Sequence, residues 1–184
     1  IHETKARWIV VVAHRRSGKT TMALNHLQWD AADKAGSRYA YIAPTYKQAK
    51  NVAWDIIKHY SKDIPGKEYN ESELTVKYPN GSRLTLYGAD NPDSLRGIGL
   101  WGVVFDEYSQ QPSNIFTEII RPALADHSGY AIWIGTPKGK NEFYRLYEQA
   151  EEKDWLRTLL TVEDTEILPD EELRDAKKIM SKDE

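Results

Sequence analysis

Apolar residues along this chain fall into short unbroken runs, separated by longer stretches in which they recur every three or four positions. WIVVVA (8–13) and YAYIAP (39–44) have the character of strands buried on both faces. Between them, Met22, Ala23, Leu27 and Ala31 line one side of a segment from Thr20 to Ala35, which predicts a helix. A second helix is expected from Gln48 to Tyr60, carrying Val52, Ile56 and Ile57. The stretch ELTVKYPNGSRLTLYG alternates instead about Asn80-Gly81, the strongest short hairpin signal, and predicts an inserted antiparallel ribbon. After it, GLWGVVFDE reads as a third buried strand ending in two acids, and YAIWIGTPKG (130–139) as a fourth ending in a turn. Helical patterns lie around 113–126 and 141–152, and WLRTLLTV (155–162) predicts a last strand.

Strands alternating with helices imply an α/β fold of three layers, with a mainly parallel central sheet and right-handed crossovers. Ligands of such folds sit beyond the carboxyl ends of the strands. One domain is expected over residues 1–162. The charged segment over 163–184, punctuated by Pro169, reads as a helix or linker leading elsewhere. The first residue is Ile1, about seven residues ahead of the first strand, so a segment upstream is expected to have preceded it.

Composition narrows the chemistry. The chain has no cysteine, which excludes a disulfide framework and a thiolate metal site and fits a reducing compartment. No apolar run approaches the roughly 20 residues that span a bilayer, and the start lacks a signal-peptide core, so a cytoplasmic protein is expected. A net charge of -3 argues against a uniformly basic nucleic-acid coat and leaves room for a local basic patch.

Residues 13–21, AHRRSGKTT, follow the first strand and open the first helix, which is the setting of a phosphate-binding loop. Backbone N–H groups at Ser17, Gly18 and the helix start would face phosphates, Lys19 would bridge the β and γ groups, and Thr20 would hold Mg²⁺, with Thr21 in support. Ala13 stands where the usual pattern has glycine and adds one methyl at the base of the turn. Arg15 and Arg16 are either solvated or turned onto the phosphates, where a guanidinium would stabilise charge on a transferred phosphoryl group.

Asp106 and Glu107 end the strand GVVFDE. Successive residues leaving a strand point to opposite sides, so Asp106 is expected to serve the Mg²⁺ shell and Glu107 to orient and deprotonate a water. In GTPKG (135–139), Gly135 and Pro137 shape a turn, and Thr136 either belongs to that turn or hydrogen-bonds a γ-phosphate or lytic water. Arg96, between turn formers in PDSLRGIGLWG, is either plain surface or able to reach the nucleotide site of a neighbouring subunit.

Taken in order, AHRRSGKTT, APTYKQA (43–49), SLRG followed by VVFDE, and IGTPKG resemble the N-terminal ATPase domain of the large terminase subunit of tailed bacteriophages, over roughly residues 5–150. The resemblance implies a P-loop NTPase of the additional-strand, RecA-like type. It implies ATP and Mg²⁺ as substrate and cofactor, and hydrolysis that drives double-stranded DNA into a procapsid in the host cytoplasm. By position it assigns the phosphate-loop lysine to Lys19, the loop arginine to Arg15, the metal-binding and catalytic acids to Asp106 and Glu107, the coupling threonine to Thr136, and an arginine offered in trans to Arg96. Implied partners are the portal protein, the small terminase subunit and further copies of the chain in a ring, with the isolated domain expected to be monomeric. The adenine-contacting glutamine usual in the family is not visible upstream of the first strand, and the acid cluster of the nuclease domain is not among these residues, so ATP hydrolysis without DNA cleavage is expected.

Two other readings compete. APTYKQA and DEYS also resemble segments of superfamily 2 helicases, whose third motif is SAT-like where this chain has GTP. A module that binds ATP without turnover would have no need of Lys19, Asp106 and Glu107 together.

Overall fold

Six parallel strands make the body of the sheet, and two short antiparallel strands extend it on one side. The structure is a computed structural model that describes residues 4–153, 155–165 and, beyond these, 167, 169, 171, 174, 175 and 178. In chain order, β1 (Trp8–Ala13) leads through α1 (Lys19–Asp33) to β2 (Arg38–Ala43). A helical run follows, made of α2 (Tyr46–Ala49), a π-helical stretch (Lys50–Trp54) and α3 (Asp55–Ser61). Then come β3 (Glu68–Asn70), β4 (Thr75–Lys77), β5 (Arg83–Gly88), a 3-10 turn (Pro92–Leu95) and β6 (Gly102–Phe105). A 3-10 turn (Tyr108–Gln110), a π-helical stretch (Phe116–Ile120) with α4 (Arg121–Ala123), β7 (Tyr130–Gly135), α5 (Glu142–Glu152), β8 (Leu156–Leu160) and α6 (Val162–Thr165) follow.

The sheet order is β3-β4-β5-β2-β6-β7-β1-β8. The chain therefore crosses from β1 past two positions to β2, leaving room for β7 and β6 to enter later between them. This arrangement places the carboxyl ends of β6, β7 and β1 side by side at one rim, where the three sequence motifs lie.

Two apolar cores, one on each face, fix the layers. Ile9, Val11, Tyr41 and Val104 of the sheet pack with Ala23, Leu24, Leu27 and Ala31 of α1 and with Ala53, Trp54 and Ile57 of the second helical run. Val10, Val103, Phe105 and Trp133 pack on the other face with Ile115, Ile119, Ile120 and Phe143. Strand residues thus alternate between two cores, which is why β1, β6 and β7 read as unbroken apolar runs. Each such side chain contributes about 1.5–3 kcal/mol by burial. Trp133 anchors the second core, stacked at 5.8 Å on Phe105 and 5.6 Å on Trp155, with Phe116 edge-on at 4.8 Å.

Local signals set the element ends. The Thr45 hydroxyl accepts from the Gln48 amide and starts α2, two residues ahead of the helix start expected from apolar spacing. The Asn141 side chain accepts from the Phe143 and Tyr144 amides and starts α5. At the hairpin, Gly81 adopts a φ of 84°, and the Asn80 amide donates to the Ala31 and Ala32 carbonyls at the end of α1, both at 2.9 Å. The hairpin forms as expected, but it is not a ribbon apart from the sheet. Its second strand, β5, runs parallel to β2 from Arg38 opposite Arg83 to Ala43 opposite Gly88. Its alternating pattern arises because one face is buried in the α1-side core while Thr85 and Tyr87 on the other face are only half covered.

The expected helix or linker over 163–184 falls mostly outside the described residues. Among the described residues no helix is long and apolar enough to cross a membrane.

Candidate nucleotide site

The phosphate-loop segment leaves β1 at Ala13, whose side chain is fully buried in the α1-side core. The methyl that departs from the usual glycine is thus accommodated as core packing. The chain then turns through Arg16 at φ 66° and Gly18 at φ 79°, both left-handed. A Cβ at Gly18 would meet nothing within 4 Å, so glycine is called for there by backbone conformation and not by crowding. Gly18 caps α1, a 15-residue helix with no acidic residue in its first turn, so its amide ends and dipole favour an anion. Among the described residues the Ser17 hydroxyl is buried in this loop without a hydrogen-bond partner, a polar group suited to an incoming phosphate oxygen.

Opposite the loop, Asp106 lies one residue beyond β6 and is 4% exposed. Strand alternation carries it to the α1 side, where its Oδ2 accepts from Thr20 Oγ1 at 2.8 Å and from the Tyr41 hydroxyl at 2.5 Å. Its Oδ1 accepts the Glu107 amide at 2.8 Å. Burial pushes the Asp106 carboxyl above the usual carboxylate range, while the bonds from Tyr41 and Thr20 pull it back down. The same burial, with the Asp106 charge beside it, holds the Tyr41 phenol well above its ordinary value.

Glu107 departs from the strand in a left-handed conformation, φ 47° and ψ 47°, uncommon for a residue with a side chain. Its carboxylate accepts from Thr136 Oγ1 at 3.3 Å and pairs with Lys19 Nζ at 3.5 Å, and Lys19 also donates to Thr136 at 3.1 Å. Lys19 is 9% exposed, a buried cation held between the ends of β6 and β7. The two acids thus contact different partners, Asp106 towards Thr20 and Glu107 towards Lys19 and Thr136.

Thus Gly18, Lys19, Thr20, Asp106, Glu107 and Thr136 converge at one rim. Thr21 lies half-buried in the first turn of α1. Arg15 and Arg16 are exposed, and among the described residues neither bonds to the cluster. Arg96 stands apart as well: its guanidinium is tied to Asp93 of its own loop at 2.9 Å.

Two participants escape the sequence pattern. Tyr41 sits inside an apolar strand, where its hydroxyl carries no periodic signal. Gln111 donates to the Ile42 and Asp106 carbonyls at 3.0 and 2.6 Å, tying the ends of β2 and β6 together from five residues downstream of the acid.

Known proteins resemble this chain in sequence and in fold. A family model for the N-terminal region of the T4likevirus-type terminase large subunit matches residues 10–181. The large terminase subunit of Thermus phage G20c is 30% identical over 166 residues, covering 80% of this chain and 34% of that protein. The chain thus spans about a third of the length of the curated relatives it matches. In fold, the ATPase domain of the Thermus phage P74-26 large terminase superposes with a TM-score of 0.82 at 24% identity, covering 99% of this chain and 86% of that one. The large terminase of another thermophilic bacteriophage, in complex with ATP-gamma-S, gives 0.76 at 16% identity, covering 96% and 45%.

Proposed function

We propose, for a chain that belongs to the T4likevirus-type terminase large subunit N-terminal family, that it is a Mg²⁺-dependent ATPase whose hydrolysis drives double-stranded DNA into a viral procapsid. The observation that carries this reading is the convergence of Lys19, Glu107 and Thr136 beside the Thr20–Asp106 pair at the start of α1.

The residues present fit a triphosphate and its cation. Thr20 Oγ1 and the Asp106 carboxylate form a hard oxygen set of the kind Mg²⁺ takes together with substrate phosphates and water. When bound there, Mg²⁺ neutralises charge on the β- and γ-phosphate oxygens. The amides of Ser17, Gly18 and the α1 start cradle the phosphates, and Lys19 leaves its pairing with Glu107 to bind the β and γ groups. Glu107, so released, orients a water and accepts its proton as the oxygen attacks the γ-phosphorus and the bond to the β–γ bridging oxygen breaks, with ADP as leaving group. Arg15 supplies positive charge to the γ-phosphoryl group within the chain, with Arg16 beside it, and Arg96 supplies it to a neighbouring copy. Thr136 reports the γ-phosphate to the segment after β7. The thermophilic-phage terminase in complex with ATP-gamma-S supports ATP as the ligand of this fold.

Further parts of the proposal are a ring of copies around the DNA, docked on a portal protein, with DNA delivered by a small terminase subunit, all in the host cytoplasm. The domain boundary at 162 belongs to the same reading.

Phosphate release tests the site directly. Lys19→Ala and Glu107→Gln should both fall to background, with Glu107→Gln still binding ATP. Full turnover in either variant overturns the assignment, and ATP binding with no turnover in the unaltered chain favours a module that only holds the nucleotide.

A further inference from the structure

The buried carboxylate at the rim is held by more than the phosphate-loop threonine. Tyr41 lies on β2 opposite Val104 of β6, and both side chains face the α1-side core. Asp106 is two residues further along the same face, and the Tyr41 ring spans that diagonal to reach its Oδ2 at 2.5 Å. Thr20 reaches the same oxygen at 2.8 Å, and the Glu107 amide reaches the other at 2.8 Å. A carboxylate that is 4% exposed therefore has its plane fixed by three donors from three different elements.

We propose that Tyr41 is a positioning residue for the divalent cation, clamping the Asp106 carboxylate so that its remaining lone pair and the Thr20 hydroxyl oxygen face one point. The inference rests on the ATPase reading above and adds a residue to it. The physical logic is that of outer partners in metal sites: a group that never touches the ion orients the one that does, and its loss typically weakens metal affinity by about 10- to 100-fold. Without the phenol, Asp106 is free to rotate about its Cβ–Cγ bond and one buried lone pair is left without a donor. Tyr41 is also 1% exposed, so no water replaces it readily. Tyr39, two residues back on the same strand and face, shares its packing without reaching the carboxylate, and serves as a control.

The test is Mn²⁺ binding, followed by the loss of the free-ion EPR signal, in protein saturated with a non-hydrolysable ATP analogue. Tyr41→Phe keeps the ring in the core. It should need about 10- to 100-fold more Mn²⁺ for half-saturation, while its affinity for a fluorescent ADP in EDTA stays close to that of the unaltered chain and it still unfolds in one cooperative step without metal. Turnover should show the same split, with the Mg²⁺ requirement raised and kcat recovered at saturating Mg²⁺. Half-saturation within about twofold of the unaltered chain, or an equal loss in Tyr39→Phe, overturns the role of the phenol. A different failure marks the underlying reading: unaltered chain that retains no more Mn²⁺ than Asp106→Asn overturns the cation site itself, and this inference with it.

Discussion

Thr20 donates its hydroxyl to the Asp106 carboxylate at 2.8 Å, closing a link between residues 86 positions apart in the chain. The link joins the first turn of α1 to the end of β6, and β7 runs between their two strands. Thr136, at the end of β7, completes the bridge by contacting both Lys19 and Glu107.

On the proposed mechanism, that placement predicts a measurable part for Thr136 in turnover. Thr136→Val removes the hydroxyl and keeps the shape. Hydrogen bonds to charged groups are worth about 1.5–3 kcal/mol, so kcat should fall by roughly 10- to 100-fold. The dissociation constant for ATP, measured in the Glu107→Gln background, should change little. A loss that appears wholly in binding would instead make Thr136 a ground-state phosphate ligand.

Arg96 makes a different prediction because its loop holds it away from its own cluster, paired with Asp93 and largely exposed. Such a surface pair is worth at most about 1 kcal/mol and gives way readily to a stronger anion. Arg96→Ala should lose about 10³- to 10⁵-fold in assembled turnover. Mixing it with Glu107→Gln should restore some hydrolysis, since each chain supplies what its neighbour lacks. Absence of rescue at concentrations where the chains associate counts against action between copies.

Buried phenols give the fold a pH signature of its own. Burial raises Tyr39 and Tyr108 to about 12 and pushes Tyr41, Tyr78 and Tyr130 above the ordinary tyrosine value as well. A phenol in the unfolded chain ionises near pH 10, so between that pH and its raised native value the folded chain holds the extra proton. The stability these groups contribute is complete below about pH 10 and is lost as pH climbs towards 12 and beyond. Melting followed by circular dichroism should be flat on the alkaline side up to that point and then fall steeply. Tyr78→Phe should soften the fall and raise the melting temperature, because among the described residues the Tyr78 hydroxyl is buried without a partner, a defect of about 1–3 kcal/mol. An unchanged alkaline slope in Tyr78→Phe would remove this tyrosine from the account.

The strands and the rim chemistry are legible in the sequence for a common reason. Residues buried on both faces of a sheet must be apolar at every position, so β1, β6 and β7 stand out as runs, and the polar residues that end them mark where the chain emerges. Asn80-Gly81 is equally readable because the turn demands it, yet local pattern says nothing of what lies beside a strand. The parallel pairing of β5 with β2 is set by residues some 45 positions apart in the register from Arg38 to Ala43, and only the folded sheet reveals it. Tyr41 is hidden for a related reason. An aromatic residue in a buried strand reads as packing, and the partner of its hydroxyl depends on the β2–β6 register. Arg15 and Arg16 are conspicuous in the loop, but their exposure leaves their geometry to be set by what the loop holds.

The interposed strand has one more implication. Strands lie about 4.8 Å apart, so a single strand between β1 and β6 sets the backbones that carry the phosphate loop and the acids roughly 10 Å from each other, a gap that the side chains of Lys19, Thr20, Asp106 and Glu107 span. Direct neighbours would crowd out a phosphate and its ion, and two intervening strands would put them out of shared reach. β7 acts as a gauge block, and because Thr136 rides on its end, the part that sets the width of the gap would, in the proposed mechanism, also be the part that feels what fills it.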